Sequence, residues 1–337
     1  MPRPNGATRD EPVTATRVSV IVPATDAPQT LVNCFDAVIA SDEEPEEIVV
    51  IESPGEANAA TARNIGAARA VGDILLFLDA DIEIRPDAIR LVREAFDEDP
   101  SLSAIFGSYD DAPSSAGITS RFRNLLHHHV HHAAAGPAST FWTGLGAVRR
   151  EAFDRVNGFD ERIQYMEDVD LGMRMTIAGE QIRLDPRIQG KHLKRWTVWG
   201  MLRTDVLGRG VPWTRILLRH RRSSHALNLG WSHRVSALAS LALLASVALL
   251  QPYLLAASIA VLIAMNWQFY ALLVRRTGPT ATLAAIPLHV LHYLAGIVSL
   301  PIGLAYHVND RLRARRRVER EVHEATGAPE AEAATSL

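Results

Sequence analysis

The sequence predicts an α/β domain with a mostly parallel sheet, followed by an α-helical membrane region. Two observations carry the first part: short apolar runs alternate with amphipathic stretches from residue 18 to about 190, and the runs end at proline or acidic residues. A third carries the second part, because residues 235 to 308 are almost free of charge.

Val18 to Val22 (VSVIV) is a β-branched run ended by Pro23, which reads as a buried parallel strand. Residues 29 to 40 place Leu31, Val32, Phe35, Val38 and Ile39 at helical spacing. Ile48 to Ile51 is a second strand, completing a βαβ unit. The Ala-rich stretch 58 to 71 reads as a helix stopped by Gly72. Ile74 to Leu78 is a third strand, and a helix over 86 to 98 opens at Pro86. Ligand sites of such sheets lie beyond the carboxyl ends of the strands, where Asp79 and Asp81 fall.

Composition narrows the function. Of 337 residues 47% are apolar, enough for a sizeable core, and a net charge of −3 supplies no field to recruit nucleic acid. One cysteine, Cys34, excludes an internal disulfide framework and reads as a core residue of a protein in a reducing compartment.

The boundaries expected are a disordered leader over 1–17, the α/β domain over 18–190, amphipathic interfacial helices over 191–234, a transmembrane region of two to three segments over 235–308, and a basic, then disordered tail over 309–337. The apolar stretch from Val235 to Val274 is about twice the ~20 residues that cross a bilayer, so it reads as a hairpin turning at Gln251 and Pro252. Arg219, Arg221, Arg222 and Arg234 precede it and Arg275 and Arg276 follow, placing both flanks in the cytoplasm. A third stretch, Ala281 to Val308, precedes Arg311, Arg313, Arg315, Arg316 and Arg317. A re-entrant or Pro301-kinked form would keep that basic end cytoplasmic. Between the halves, Trp196, Trp199 and Trp213 are interleaved with arginines, a mix suited to the headgroup layer or to packing on the globular domain.

Two acidic clusters carry the chemistry. Asp79-Ala80-Asp81 at a strand end is suited to a divalent cation, which in turn neutralises a pyrophosphate. Glu167-Asp168-Val169-Asp170 opens a helix. Asp168 reads as a base for an attacking hydroxyl, and one of the acids of this cluster as a helix cap only. Gly144 and Gly146 read as a backbone turn beside an acceptor. The histidines 127 to 129, 131 and 132 read as a polar, flexible segment rather than a metal cluster, since consecutive residues of a helix cannot all face one ion.

With these pieces the sequence resembles the family 2 inverting glycosyltransferases of GT-A fold, a Rossmann-like nucleotide-diphospho-sugar transferase architecture. The resemblance runs from Val18 to about Arg219 through VSVIVP, IVVIES, ARNIGAARA, GDILLFLDADI, FWTGLGAVRREAF and GFDERIQYMEDVDLGMRMTIAGEQIRL, in the family's order. It implies that Pro23, Ala24, Thr25 and Glu52 border the base and ribose, with Glu52 standing where the family usually has Asp. It implies Arg63 and Asn64 near the nucleotide, and Asp79 on ribose or metal. Ala80 and Glu167 belong to the same donor site. Asp81 would be the principal metal ligand and Asp168 the catalytic base.

Lys191-His192-Leu193-Lys194-Arg195-Trp196 resembles the segment that closes over the donor. There His192 would complete the site of a divalent cation, Mn²⁺ or Mg²⁺, with Arg195 and Trp196 beside the donor. His192 takes the Gln position of the Gln-x-x-Arg-Trp box, which argues against polymer synthesis. The implied protein is a multi-pass cell-membrane enzyme with its catalytic domain in the cytoplasm. It would move a sugar from a nucleotide-sugar to a lipid-linked, polyprenyl-linked or membrane-proximal acceptor in cell-envelope glycan or glycolipid synthesis. The rivals are a nucleotidyltransferase, which wants a Gly-rich basic loop that VPATDAPQT lacks, and a membrane scaffold with an inactive domain.

Overall fold

The computed structural model describes residues 16–25, 28–52, 58–220 and 230–326, with side chains up to residue 317. Most of the expected leader, Arg221 and Arg222, and the tail from residue 327 lie outside these residues. Arg17 belongs to the fold: its side chain holds Asp73 and its carbonyl accepts from the N–H groups of Asp73 and Ile74. The chain divides into two compact units, Met1–Ser114 with His127–Lys194, and Ser115–Leu126 with Arg195–Leu337.

The first unit is built on one sheet. In chain order its elements are β1 (Val18–Pro23), α1 (Leu31–Ile39), β2 (Glu47–Ile51), α2 (Ala59–Arg69), β3 (Ile74–Leu78), β4 (Ile82–Ile84), α3 (Ala88–Glu98), β5 (Leu102–Tyr109), the carboxyl-terminal part of α4 (Ile118–Ala133), β6 (Gly136–Ala138), β7 (Leu145–Arg149), α5 (Arg150–Arg155), α6 (Glu167–Ile177) and β8 (Gln181–His192). The strand order is β2-β1-β3-β7-β5-β8-β4, with β6 pairing β8 off this path. β1, β2, β3, β5 and β8 run the same way, so the sheet is mostly parallel as expected; β7, β4 and β6 oppose them.

The three strands read from the sequence are β1, β2 and β3, and β3 is buried throughout. The buried face of α1 carries Cys34 and Val38, whereas Val32, Phe35 and Ile39 stay on the surface. Gly72 is not the stop of α2, which ends at Arg69. Its N–H donates to Ser19 Oγ at 2.8 Å, and a Cβ there would meet that oxygen at 2.6 Å. The reason for glycine is close approach, not a helix cap.

The second unit is helical: α7 (Val198–Arg203), a π-helical turn at Thr204–Gly210, α8 (Val211–His220), α9 (Trp231–Ala248), α10 (Pro252–Met265), α11 (Trp267–Thr277) and α12 (Pro279–Thr326). The expected turn at Gln251 is present, with Pro252 at the start of α10. Beyond it the hairpin reading needs correction, because α10 has 14 residues and the chain bends by 83° into α11. In the third stretch it is the re-entrant form that is not found. α12 is one continuous helix through Pro287 and Pro301, and it carries the basic segment on to Thr326. By length and composition α12, over Pro279–Arg317, suits a membrane crossing, and α10 with α11 would do so only as one broken span.

Polar groups hold this unit from inside. Arg123 and His292 both bind Asp205 at 2.8 Å, and all three acidic and basic groups are at least largely buried. Tyr293 Oη donates to Asn266 Oδ1 at 2.9 Å, and Asn266 Nδ2 donates to Ser236 Oγ at 2.8 Å.

Candidate functional site

The carboxyl ends of β1, β2 and β3 lie side by side, with Pro23 opposite Ile51 and Ile21 opposite Phe77. This aligns Pro23 and Thr25, Glu52 and Asp79 along one edge of the sheet. Helix α2 sits tight against β1, since a Cβ on Gly66 would approach Ile21 Cγ2 to 2.4 Å. That packing buries Arg63, whose guanidinium donates to Asp79 Oδ1 at 2.8 Å and to Glu167 Oε1 at 2.5 Å. Burial works against its charge, but Asp79, Glu167 and Asp168 outweigh it and keep Arg63 firmly protonated. One buried cation therefore joins the end of β3 to the start of α6.

Asp81 and His192 are brought together by strand register. Ile82 pairs with His192 across β4 and β8, the Asp81 carbonyl accepts from Leu193 N–H at 2.8 Å, and His192 Nε2 lies 3.4 Å from Asp81 Oδ2. Burial pushes the Asp81 carboxyl up, yet His192 and Lys194 overrule it and hold the group below its ordinary value. A spacing of 3.4 Å between a carboxylate oxygen and an imidazole nitrogen is one that two ligands at about 2.1 Å from a single ion can have, so this donor pair fits a divalent cation. Ala80 between the two aspartates is buried and contributes only backbone.

Asp168 opens α6 behind Met166, which adopts a left-handed conformation at φ 66°. A side chain in that region is held there against a cost, and such residues cluster at functional sites. Met166 offers no side-chain cap to α6, and Glu167, Asp168 and Asp170 all lie in its first turn. Asp170 binds Arg174 at 2.7 Å. Asp168 accepts from Val169 N–H at 2.8 Å and from Thr143 N–H at 3.3 Å. Burial, followed by the charge of Glu167, pushes its carboxyl up to about 7 against the pull of Arg63. The next carbonyl, of Gly144, accepts from Asp79 N–H at 3.1 Å. Thr143 and Gly144 thus touch the candidate base on one side and the aspartate pair on the other.

Of the two glycines of this segment, Gly144 lies in a turn as expected and Gly146 does not. Gly146 lies within β7, not in a turn, and a Cβ on it would collide with the Trp142 carbonyl at 2.3 Å. A Cβ on Gly144 would enter the Trp142 ring. Gly144 thus makes room for the indole, and Gly146 for the Trp142 carbonyl and the Phe141 ring.

Several expected residues stand apart. Asn64 spends its amide on the loop before α6, donating to the Phe159 carbonyl and Glu161 and accepting from Phe159 N–H. Arg195 and Trp196 belong to the second unit, where Trp196 N–H donates to Ser120 Oγ and its ring lies beneath Arg123. Pro23, Thr25 and Glu52 reach the edge through their strands alone. The histidine run is an ordered part of α4, not a flexible segment. His128 and His131 are buried, with Nδ1 atoms 2.8 Å from the carbonyls of Tyr109 and Gly107.

The residues not foreseen are Tyr109 and Trp142. The Tyr109 ring stacks on His192 with centroids 4.3 Å apart and planes 9° apart, and His127 lies on it at 4.1 Å. Trp142 meets Tyr109 edge-on at 5.0 Å. An aromatic at the carboxyl end of a fully buried strand is the signal that marked Tyr109; its partner in the stack lies 83 residues onward and left no trace in the local pattern.

Residues 50–156 match the family model described as "Glycosyl transferase family 2". The O-antigen biosynthesis protein RfbC of Myxococcus xanthus is 27% identical over 210 residues, 49% of this chain and 16% of that protein. A pre-mycofactocin glycosyltransferase of Mycobacterium tuberculosis is 30% identical over 153 residues, 42% of this chain and 31% of that protein. The chain therefore spans less than a third of the length of these curated relatives. Among solved structures, a mannosyltransferase from Pyrobaculum calidifontis in complex with GDP-Man and Mn²⁺ superposes with a TM-score of 0.50 at 17% identity, over 86% of this chain and 88% of that one. The match to the family 2 glycosyltransferase model lies within the α/β unit, and with the strand order described above that unit has the fold of the GT-A glycosyltransferases.

Proposed function

We propose that the chain is an inverting glycosyltransferase that moves a sugar from a nucleotide-sugar to a lipid-linked or membrane-proximal acceptor. The observation that carries this is the Asp168 carboxyl, pushed up to about 7 and tied through Thr143 and Gly144 to the strand-end aspartates. A general base works best with a pKa near the working pH. Asp168 takes the proton as the acceptor oxygen bonds to the anomeric carbon, and the bond from that carbon to the diphosphate breaks with its electrons leaving on the phosphate oxygen. Asp81 and His192 would hold a divalent cation, which when bound neutralises charge on the leaving diphosphate. Arg63 keeps Asp79 and Glu167 paired, so that the donor meets a fixed carboxylate array rather than repelling acids.

The acceptor reading leans on the second unit, whose α12 suits a membrane crossing, and on the name of the Myxococcus relative, which ties that protein to O-antigen biosynthesis. The basic flanks read in the sequence favour a cytoplasmic position of the first unit. The test is turnover of UDP-, GDP- and dTDP-sugars by the membrane fraction with Mn²⁺ or Mg²⁺. Native protein should consume one donor, chelation should stop it, and Asp81→Ala and Asp168→Asn should each lower the rate by about 10²–10⁴. Equal behaviour of all three proteins toward every donor would leave the scaffold reading in its place, and release of pyrophosphate would point to nucleotidyl transfer.

A further inference from the structure

Helix α8 turns Arg215, Leu218 and Arg219 toward one side, at the spacing of a single helical face, and α12 turns His307, Asp310, Arg311 and Ala314 the same way. These seven residues line a half-open surface cavity of about 350 Å³. Arg215 binds Asp310 at 2.6 Å and lies over the Tyr306 ring at 5.7 Å. Three guanidinium groups oppose one carboxylate, and the lining is net positive. The cavity sits where the apolar run of α12 ends and its arginines begin, beside the half-exposed Leu304 and Tyr306.

We propose that this cavity binds the phosphate headgroup of an anionic lipid. Arginine clusters at the charged end of an apolar helix recognise phosphate through paired N–H donors, and Leu218 and Ala314 give the glycerol end an apolar wall. The site is separate from the aspartates of the α/β domain. It rests on reading α12 as a membrane segment and not on glycosyl transfer.

Native mass spectrometry of the full chain, released from nanodiscs that contain phosphatidylcholine with or without phosphatidylglycerol, tests it. Native protein should retain phosphatidylglycerol and not phosphatidylcholine. The pair R219A/R311A should weaken retention by a factor of about five for each arginine removed. R219K/R311K, which keeps the charge, should recover part of it and shows that the pair has not simply unfolded the helices. R313A/R316A, which removes two arginines outside the cavity, should retain lipid as the native chain does. Equal loss in R313A/R316A would overturn the proposal in favour of a diffuse basic end, as would equal retention of the two lipids. Displacement of the lipid by millimolar inorganic phosphate would overturn it in favour of a free-phosphate site. Retained lipid in a protein that turns over no donor would leave this site standing without the transferase reading.

Discussion

Each unit of this chain encloses an aspartate, Asp168 partly and Asp205 almost wholly, and the two are treated in opposite ways. Asp168 in the α/β unit is hemmed in beside Glu167 and pushed up to about 7, whereas Asp205 in the helical unit is held below its ordinary value by His292 and Arg123 in spite of burial. The surroundings differ as well. The strands of the first unit place Val20, Ile74 and Phe77 fully inside, but the second hides Ser236, Ser240 and Ser299 and turns Leu250 (86% exposed) and Tyr253 (89%) outward. Polar groups inside and apolar groups outside suit helices whose solvent is hydrocarbon, which supports the membrane reading proposed above. The difference teaches that a buried acid can be a reagent kept under tension or a fastening kept satisfied, and only its partners distinguish the two.

The sharpest way to break this comparison is Asp205→Ala. It leaves Arg123 buried without its carboxylate, so it should lower stability by about 3–5 kcal/mol, read by thermal unfolding in detergent. A neutral outcome would mean that Asp205 fastens nothing. The next effect is on rate. If Asp168 is the base, transfer should fall about tenfold for each pH unit below 7, a slope that Asp168→Asn should abolish along with most of the activity.

The same substitution should have the opposite sign on stability. The folded carboxyl titrates near 7 and the unfolded one near ~4, so the folded state binds more protons across that window and stability falls as pH rises through it. Asp168→Asn should therefore raise stability at pH 8, by about 1–3 kcal/mol once the partial exposure of the side chain is allowed for, and should do little at pH 4. Destabilisation at pH 8 would place Asp168 with Asp205 among the fastenings. The smallest effect concerns Leu250, which follows α9 at φ 52° with Gln251 N–H donating to the Ser246 carbonyl. Glycine is the usual residue at such a helix end, so Leu250→Gly should stabilise by about 1 kcal/mol in detergent.

Much of the first unit was legible because its signals are local. β-branched runs marked β1 to β3, and an Asp-Ala-Asp after one of them marked the site. The reversed strand β7 was hidden since a short apolar run looks the same in either direction. The partners that hold the Asn64 amide, Phe159 and Glu161, were hidden because they lie almost a hundred residues away. The histidine run gave no sign that two of its rings meet strand carbonyls. In the second unit hydropathy marked the apolar stretches, but the bend at Asn266 was hidden. There an amide bonded to Ser236, the Leu262 carbonyl and Tyr293 interrupts a run that reads as one apolar span.

The place of β8 in the sheet has a consequence for the order of events during synthesis. Strand β8 enters between β5 and the short edge strand β4, so Asp81 gains His192 only after the chain has grown more than a hundred residues past it. Closing so long a loop is among the slow steps of folding. A nascent chain that has emerged only through β7 can hold its aspartates but not their imidazole, and the pairing of Asp81 with His192 arrives with the last strand of the sheet.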